Sequence, residues 1–223
     1  QTIAFILIIA ALVQMVERLN DETPTIVIAD RAYEAYNTMA HIERKGWKYL
    51  IRMREKGGIL TPFSFPQDGE MDRWMKVVLT KKWNKQVIQL AKEYPGMYRF
   101  LNANAIFDSL DAQDKVNIFY PMTFRIVRFR LTEDSWETVI TNLNEEQFPP
   151  EELKKLYHRR WGIETSFRQL KHTVGLKQLQ SKKVEHVIQE IFARLVMYNF
   201  SELIASHAII QNKTEKFIYQ INF

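Results

Sequence analysis

Residues 25–54, TIVIADRAYEAYNTMAHIERKGWKYLIRMR, decide the fold. Thr25–Asp30 is a β-branched run that predicts a buried strand with an acid at its carboxyl end. Tyr36–Arg44 has apolar residues at helical spacing, and Gly46 follows in a position suited to a helix C-cap. Trp47–Arg54 alternates as a second strand. Together these elements predict a βαβ unit with parallel strands and a right-handed crossover.

An apolar run precedes this unit. Residues 3–13, IAFILIIAALV, are shorter than the roughly 20 residues that span a bilayer. A signal peptide requires basic residues before its apolar run, and none precedes this one. We therefore expect a buried helix or strand and no membrane association, with a helix over Ala11–Leu19.

The middle of the chain changes character. Glycine and proline punctuate residues 55–133, and Tyr120–Leu131 alternates as a strand. The expected outward positions of that strand carry arginines: Arg125, Arg128 and Arg130. Trp136–Leu143 is a further strand candidate. We predict a β-rich insertion over 55–133 within a core formed by 1–54 and 134–223.

Composition sets wide limits on function. The net charge of +5 mildly favours an anionic partner, although many basic proteins bind no nucleic acid. The absence of cysteine excludes disulfide scaffolds, thiolate zinc sites and cysteine nucleophiles, and it fits a reducing compartment.

A polar stripe is the main chemical feature of the C-terminal part. A single helix is predicted over about 151–173, and a second over about 184–206. On the first helix, four side chains fall within an arc of roughly 60°: Tyr157, Arg160, Glu164 and Lys171. Arg159 and Arg168 flank them. The stripe is typical of a surface that binds a phosphate backbone together with a divalent metal. Solvated ion pairs that contribute little to stability give the same pattern.

The same helix is predicted to bury a separate apolar face. That face consists of Leu153, Leu156, Ile163, Phe167 and Leu170. Because these residues supply the packing, we expect Tyr157 and Glu164 not to be needed for it.

Asp30 is the second candidate for metal chemistry. Acids at the carboxyl ends of parallel strands are where open α/β sheets place their sites, although a turn or cap role explains Asp30 equally well. Paired with Glu164, it supplies the oxygen ligands that Mg²⁺ prefers. Two such ions can activate an attacking oxygen and stabilise a leaving one in phosphodiester cleavage.

Two motifs resemble those of a known family. The pattern Y-x2-R-x3-E-x6-K within residues 157–171 resembles the YREK signature of insertion-sequence transposases related to that of the kanamycin-resistance transposon. Residues 30–33, DRAY, resemble the D-R-G-Y block of these enzymes, with Ala32 in place of the usual Gly. The resemblance extends from about Ala11 to Ser206.

The resemblance implies a ribonuclease H-like α/β fold, a mixed sheet flanked by helices, with a β-rich insertion before the Glu-bearing helix. It also implies a DDE mechanism, in which an Asp-Asp-Glu triad binds two Mg²⁺ or Mn²⁺ ions. Asp30 would be the second acid and Glu164 the third, while Tyr157, Arg160 and Lys171 would hold DNA phosphates.

The implied partners are double-stranded DNA, as transposon ends and target, and a second copy of the chain on that DNA. The implied location is the bacterial cytoplasm, at the nucleoid. An aromatic of the insertion can stack on a flipped base in this family. Trp74 and Trp83 are candidates, with a core or hairpin role as the alternative for each.

The first acid of the triad has no counterpart. Asp21 is the one Asp in residues 1–29, and it lies in the loop entering the Asp30 strand. We therefore expect an N-terminally incomplete transposase that binds metal weakly and cleaves little. A non-catalytic DNA-binding or dimerising remnant and a nuclease of the same fold remain alternatives. Lys177–Lys183 either touches DNA or is a solvated loop.

Overall fold

The chain forms two compact units, Gln1–His158 and Arg159–Phe223, each described by itself. The structure is a computed structural model, and it describes residues 2–19, 23–54, 58–59, 69–102, 104–111, 113–132, 135–172 and 174–211. Asp21 lies outside these residues.

The first unit alternates helices and strands. Its elements are α1 (Thr2–Arg18), β1 (Ile26–Ala29), a 3₁₀ turn (Arg31–Tyr33), α2 (Tyr36–Arg44), β2 (Lys48–Arg52), β3 (Met71–Thr80), α3 (Lys85–Glu93), β4 (Tyr98–Phe100), β5 (Tyr120–Thr132), β6 (Ser135–Thr141) and α4 (Pro150–His158). The predicted strand, helix and strand are confirmed, and β1 pairs with β2 in parallel. Gly46 has a φ of +72°, which glycine adopts without steric cost just after a helix.

A six-stranded mixed sheet organises this unit, in the order β1-β2-β6-β5-β3-β4. The pairs β1·β2 and β3·β4 are parallel, and the three central pairs are antiparallel. Strands of the segment 55–133 thus continue the sheet begun by β1 and β2. The boundary between core and insertion stays a prediction. The fold class is confirmed: a mixed α/β sheet flanked by helices, as in ribonuclease H-like proteins.

Helices cover both faces of the sheet because alternate strand residues point to opposite sides. On one face, Met39 and Ile42 of α2 pack with Tyr49 and Ile51. The apolar N-terminal run forms part of helix α1, and Leu12 and Val16 of this helix pack with the same cluster. No helix in the described residues has the length and apolarity that crossing a bilayer requires.

The opposite face is covered by α4. Leu153 and Tyr157 pack there with Leu50, Val127 and Val139. Tyr157 is only 4% exposed, so the expectation that packing does not need it was wrong. Leu153 and Tyr157 lie four residues apart, so they share the face of α4 that meets the sheet.

The position of Arg125 also differs from the prediction. Its predicted outward position is wrong, because its side chain is fully buried. The charge is compensated by Asp72 of β3, which the alternation of β5 by itself does not reveal. Arg130 is exposed, as predicted.

The second unit consists of α5 (Trp161–His172) and α6 (Val184–Gln211). The single predicted helix over 151–173 is therefore wrong, because the chain turns at residues 159–160 between α4 and α5. Phe167 is 56% exposed, contrary to its predicted burial. On α6, Tyr198 is buried, and its hydroxyl donates to Oε1 of Gln169 at 2.9 Å.

Candidate active site

Asp30 lies where the sequence places it, directly after β1 at the carboxyl edge of the parallel β1·β2 pair. Its Oδ1 accepts a hydrogen bond from the backbone N–H of Arg31 at 2.8 Å, which makes Asp30 the N-cap of the 3₁₀ turn. Oδ2 has no hydrogen-bond partner among the described residues. The predicted cap role is thus real, and it leaves one oxygen open to a cation.

The turn that carries Asp30 is tied to the end of β2. Glu34 is buried, and its carboxylate accepts from the backbone N–H groups of Arg54 at 2.7 Å and Ile59 at 2.5 Å. Arg54 Nε in turn donates to the carbonyl of Arg31 at 3.2 Å. Burial raises the pKa of Glu34, while the two N–H groups act in the opposite direction. These bonds hold the turn after β1 and the residues after β2 in place relative to each other.

Arg52, the last residue of β2, is a neighbour of Asp30 that the sequence analysis missed. Ala29 pairs with Ile51, so the next residues along the two parallel strands, Asp30 and Arg52, lie side by side. Arg52 Nε forms an ion pair with the buried carboxylate of Glu137. The sequence contains a signal for this neighbour: pairing the predicted strands Thr25–Asp30 and Trp47–Arg54 in parallel places Arg52 next to Asp30.

Tyr157 is the other predicted site residue in the first unit. It packs into the same cluster as Ile28, which lies two residues before Asp30. Because strand residues alternate, Asp30 continues the face of Ile28, so Tyr157 and Asp30 belong to the same face of the sheet. In the structure Tyr157 packs in the core on this side of the sheet.

The remaining predicted site residues lie in the second unit. Arg160 precedes α5, and its Nη1 donates to Oε1 of Glu164 at 2.9 Å, with the Glu164 side chain 52% exposed. Lys171 lies seven residues after Glu164, two turns along the same side of α5. Three cations of this segment are exposed: Arg159, Arg168 and Lys171. Residues 159–171 thus contain one acid and four Lys or Arg cations.

The two insertion tryptophans have local partners. Trp74 is 41% exposed, and its Nε1 donates to Oε2 of Glu145 at 3.0 Å. Trp83 is 61% exposed and meets the ring of Phe100 edge-on, with 5.1 Å between centroids. Trp74 is on β3, four strands from β1 or about 19 Å at the usual strand spacing.

The family model for the transposase DDE domain matches residues 9–200. The chain belongs to this family. The match covers Asp30, Arg52 and Glu137 in the first unit and Arg160, Glu164 and Lys171 in the second. No curated protein sequence matches the chain.

Membership of the transposase DDE family implies a divalent metal, and the side chains allow a test of that implication. Asp30 and Glu164 are hard oxygen donors of the kind Mg²⁺ and Mn²⁺ take. Asp30 keeps an open oxygen, and Glu164 is exposed. Among the described residues, no group of three His, Asp or Glu side chains is placed to hold an ion. Each of the two carboxylates is therefore a donor of a kind that such an ion accepts.

Proposed function

We propose that this transposase DDE domain acts on the phosphodiesters of double-stranded DNA at transposon ends, with divalent-metal-dependent cleavage and strand transfer. The observation that carries the proposal is the placement of Asp30 at the carboxyl edge of β1 with one oxygen held and one open. The backbone N–H of Arg31 orients the carboxylate, so the open oxygen is fixed before a cation arrives.

Asp30 and Glu164 would hold Mg²⁺ or Mn²⁺. Such an ion polarises a phosphoryl oxygen and lowers the pKa of a bound water. Before metal binds, Arg160 neutralises Glu164 through the 2.9 Å ion pair. The Glu164 side chain is half exposed and so accessible to a divalent ion, while that of Arg160 is 11% exposed.

The cations of the second unit would hold the DNA backbone. Arg159, Arg160, Arg168 and Lys171 supply charge-assisted donors for phosphate oxygens. Tyr157 of the first unit would contact the DNA near the transposon end. A second copy of the chain on the same DNA completes the proposal.

A second candidate function is a non-catalytic DNA-binding or dimerising module. It is favoured by the finding that, among the described residues, no group of three His, Asp or Glu side chains is placed to hold a metal ion. In that case the cations of the second unit bind DNA, while hydrolysis is absent or slow.

Mn²⁺ binding, followed by electron paramagnetic resonance, separates the two candidates. We expect Asp30→Asn and Glu164→Gln each to weaken Mn²⁺ binding by roughly tenfold or more, because each removes a charged ligand. Glu93→Gln, an exposed acid at the end of α3, is the matched control and keeps the affinity of the parent chain. Equal Mn²⁺ binding by all three variants would reject the metal site and leave the non-catalytic module.

A further inference from the structure

Arg52 follows Ile51 at the end of β2, just as Asp30 follows Ala29 at the end of β1. The register places Asp30 and Arg52 next to each other at the ends of two parallel strands. Alternation puts both on the face formed by Ile28 and Leu50, so their side chains leave the sheet in the same direction. An acid and a cation thus stand together at one edge.

Glu137 holds one side of that guanidinium. Its carboxylate is 5% exposed and pairs with Nε of Arg52, whose own side chain is 32% exposed. In the part of the chain that the structure describes, neither terminal nitrogen of Arg52 has a hydrogen-bond partner. The guanidinium is therefore paired at Nε, and the side chain as a whole remains partly exposed.

The pairing with Glu137 keeps Arg52 from neutralising Asp30. Two carboxylates compete for one cation, and the buried one attracts it more strongly because less water screens the interaction. Asp30 is left with its open oxygen, while the adjacent guanidinium keeps its capacity for an anion. A carboxylate for a metal and an arginine for a phosphate, side by side, are the two requirements for holding a phosphodiester.

We propose that Arg52 binds a non-bridging phosphate oxygen of the DNA strand held at Asp30, and that Glu137 is the residue that positions Arg52. The proposal rests on the proposed function for the presence of DNA at this edge. A purely structural ion pair is the competing explanation, because half-buried pairs are common and contribute little to stability.

The test measures binding of a short fluorescein-labelled DNA duplex by anisotropy across a salt series. We expect Arg52→Ala to weaken binding several-fold and to lower the salt slope by about one, because one phosphate contact is lost. Arg73→Ala, an exposed arginine on β3, is the matched control and is expected to leave the slope unchanged. Circular dichroism and thermal melting establish that each variant is folded.

Testing Glu137 requires a measurement that would not change if Glu137 had only a structural role. We expect Glu137→Gln to weaken DNA binding in the parent chain and to have no further effect in the Arg52→Ala background, since it acts through Arg52. Equal, additive losses in both backgrounds would show that Glu137 does not position Arg52. If Arg52→Ala behaves like Arg73→Ala, the phosphate contact itself is rejected.

Metal binding separates this inference from the proposed function. Arg52→Ala is expected to keep or tighten Mn²⁺ binding, because it removes a positive charge beside Asp30. Asp30→Asn is expected to lose Mn²⁺ while retaining the DNA contact. Loss of DNA binding in Arg52→Ala would support the phosphate contact. If Asp30→Asn at the same time kept its Mn²⁺ binding, the metal site would be rejected. Lost Mn²⁺ binding in Arg52→Ala would overturn the assignment of Arg52 to phosphate.

Discussion

The buried guanidinium of Arg125 forms two hydrogen bonds with the carboxylate of Asp72, from Nε at 2.6 Å and from Nη2 at 2.5 Å. Nη1 donates to the carbonyl of Phe148 at 2.7 Å. One side chain thus joins β5, β3 and the segment that leads into α4. The same arrangement therefore holds the start of the helix whose Leu153 and Tyr157 pack against the sheet.

Removing the carboxylate partner is expected to destabilise the first unit strongly. Asp72→Asn leaves the buried charge of Arg125 without its anion, which costs roughly 2 kcal/mol of unfolding free energy because the Asp72 side chain is 32% exposed. Urea denaturation followed by tryptophan fluorescence measures the loss. Glu70→Gln, an exposed acid just before β3, is the control and changes stability by less than about 0.5 kcal/mol. Similar midpoints for the two variants would show that the buried Arg125 does not depend on the Asp72 carboxylate.

The ring of His41 links two helices and a loop, which predicts a pH dependence. Its Nδ1 lies 2.6 Å from Glu17 of α1, and its Nε2 lies 2.7 Å from Asp108. The hydrogen bond with His41 lowers the pKa of Glu17 below its ordinary 4.5. Hydrogen bonds from Asn37 and then His41 lower the pKa of Asp108 below 3.8.

A depressed acid pKa stabilises the fold above the unfolded value, and this contribution is lost as pH falls through the folded value. His41→Gln is therefore expected to destabilise the first unit at pH values above about 5 and to differ little from the parent chain well below pH 4. Thermal melting across that range is the measurement. A destabilisation that stays constant down to acid pH would show that the His41 contribution is packing and not charge.

Gly58 lies against the carboxylate that supports the Asp30 turn. A Cβ at this position would lie 2.2 Å from Oε1 of Glu34. Gly58→Ala is therefore expected to displace Glu34 and to cost about 1–3 kcal/mol. Gly162→Ala in α5 is the control, because nothing lies within 4 Å of its added Cβ, and alanine favours the helix. Equal melting temperatures for Gly58→Ala and the parent chain would reject the close approach.

Glu190 organises the loop between α5 and α6. Its carboxylate accepts from the backbone N–H groups of Gln180 at 3.0 Å and Ser181 at 3.3 Å. In Glu190→Ala, hydrogen exchange of these two amides is expected to accelerate roughly tenfold, because a bond to a charged acceptor is lost. The amide of Val187, bonded to the carbonyl of Lys183 at 2.9 Å, is the internal control. Uniform acceleration across all three would indicate general unfolding of the unit.

The cations of the second unit are expected to act through phosphate. Arg160→Ala and Lys171→Ala should each weaken binding of a DNA duplex and lower its salt slope by about one. Lys92→Ala, an exposed lysine in the last turn of α3, is the control. Unchanged slopes in both variants, with the chain folded, would show that the predicted stripe is a solvated surface.

Local patterns predicted much of the first unit. The strand over Thr25–Asp30 and the helix over Tyr36–Arg44 depend on residues within a few positions of each other, so periodicity and the closing Gly46 were sufficient. The position of Asp30 at a strand end followed directly. These are the features for which the sequence analysis and the structure agree to within a residue or two.

Features that depend on distant partners were not predicted. The side chain of Arg125 is buried because Asp72, on another strand, compensates it, and no window of β5 contains that information. The break at residues 159–160 interrupts a segment whose apolar period continues through it, so a helical wheel gives one helix. The relation of Arg52 to Asp30 requires the pairing register in addition to the two strands.

The strand order has a consequence for synthesis on the ribosome. Strand β2 is completed at Arg52, yet its neighbour on the far side is β6, which begins at Ser135. At about 5–20 residues per second, the buried strand residues Tyr49–Ile51 wait several seconds for that partner. During this interval the βαβ segment has an unpaired apolar edge, and aggregation competes with folding. Slower translation at low temperature lengthens the wait but weakens hydrophobic association, so the yield of folded protein depends on the balance between them.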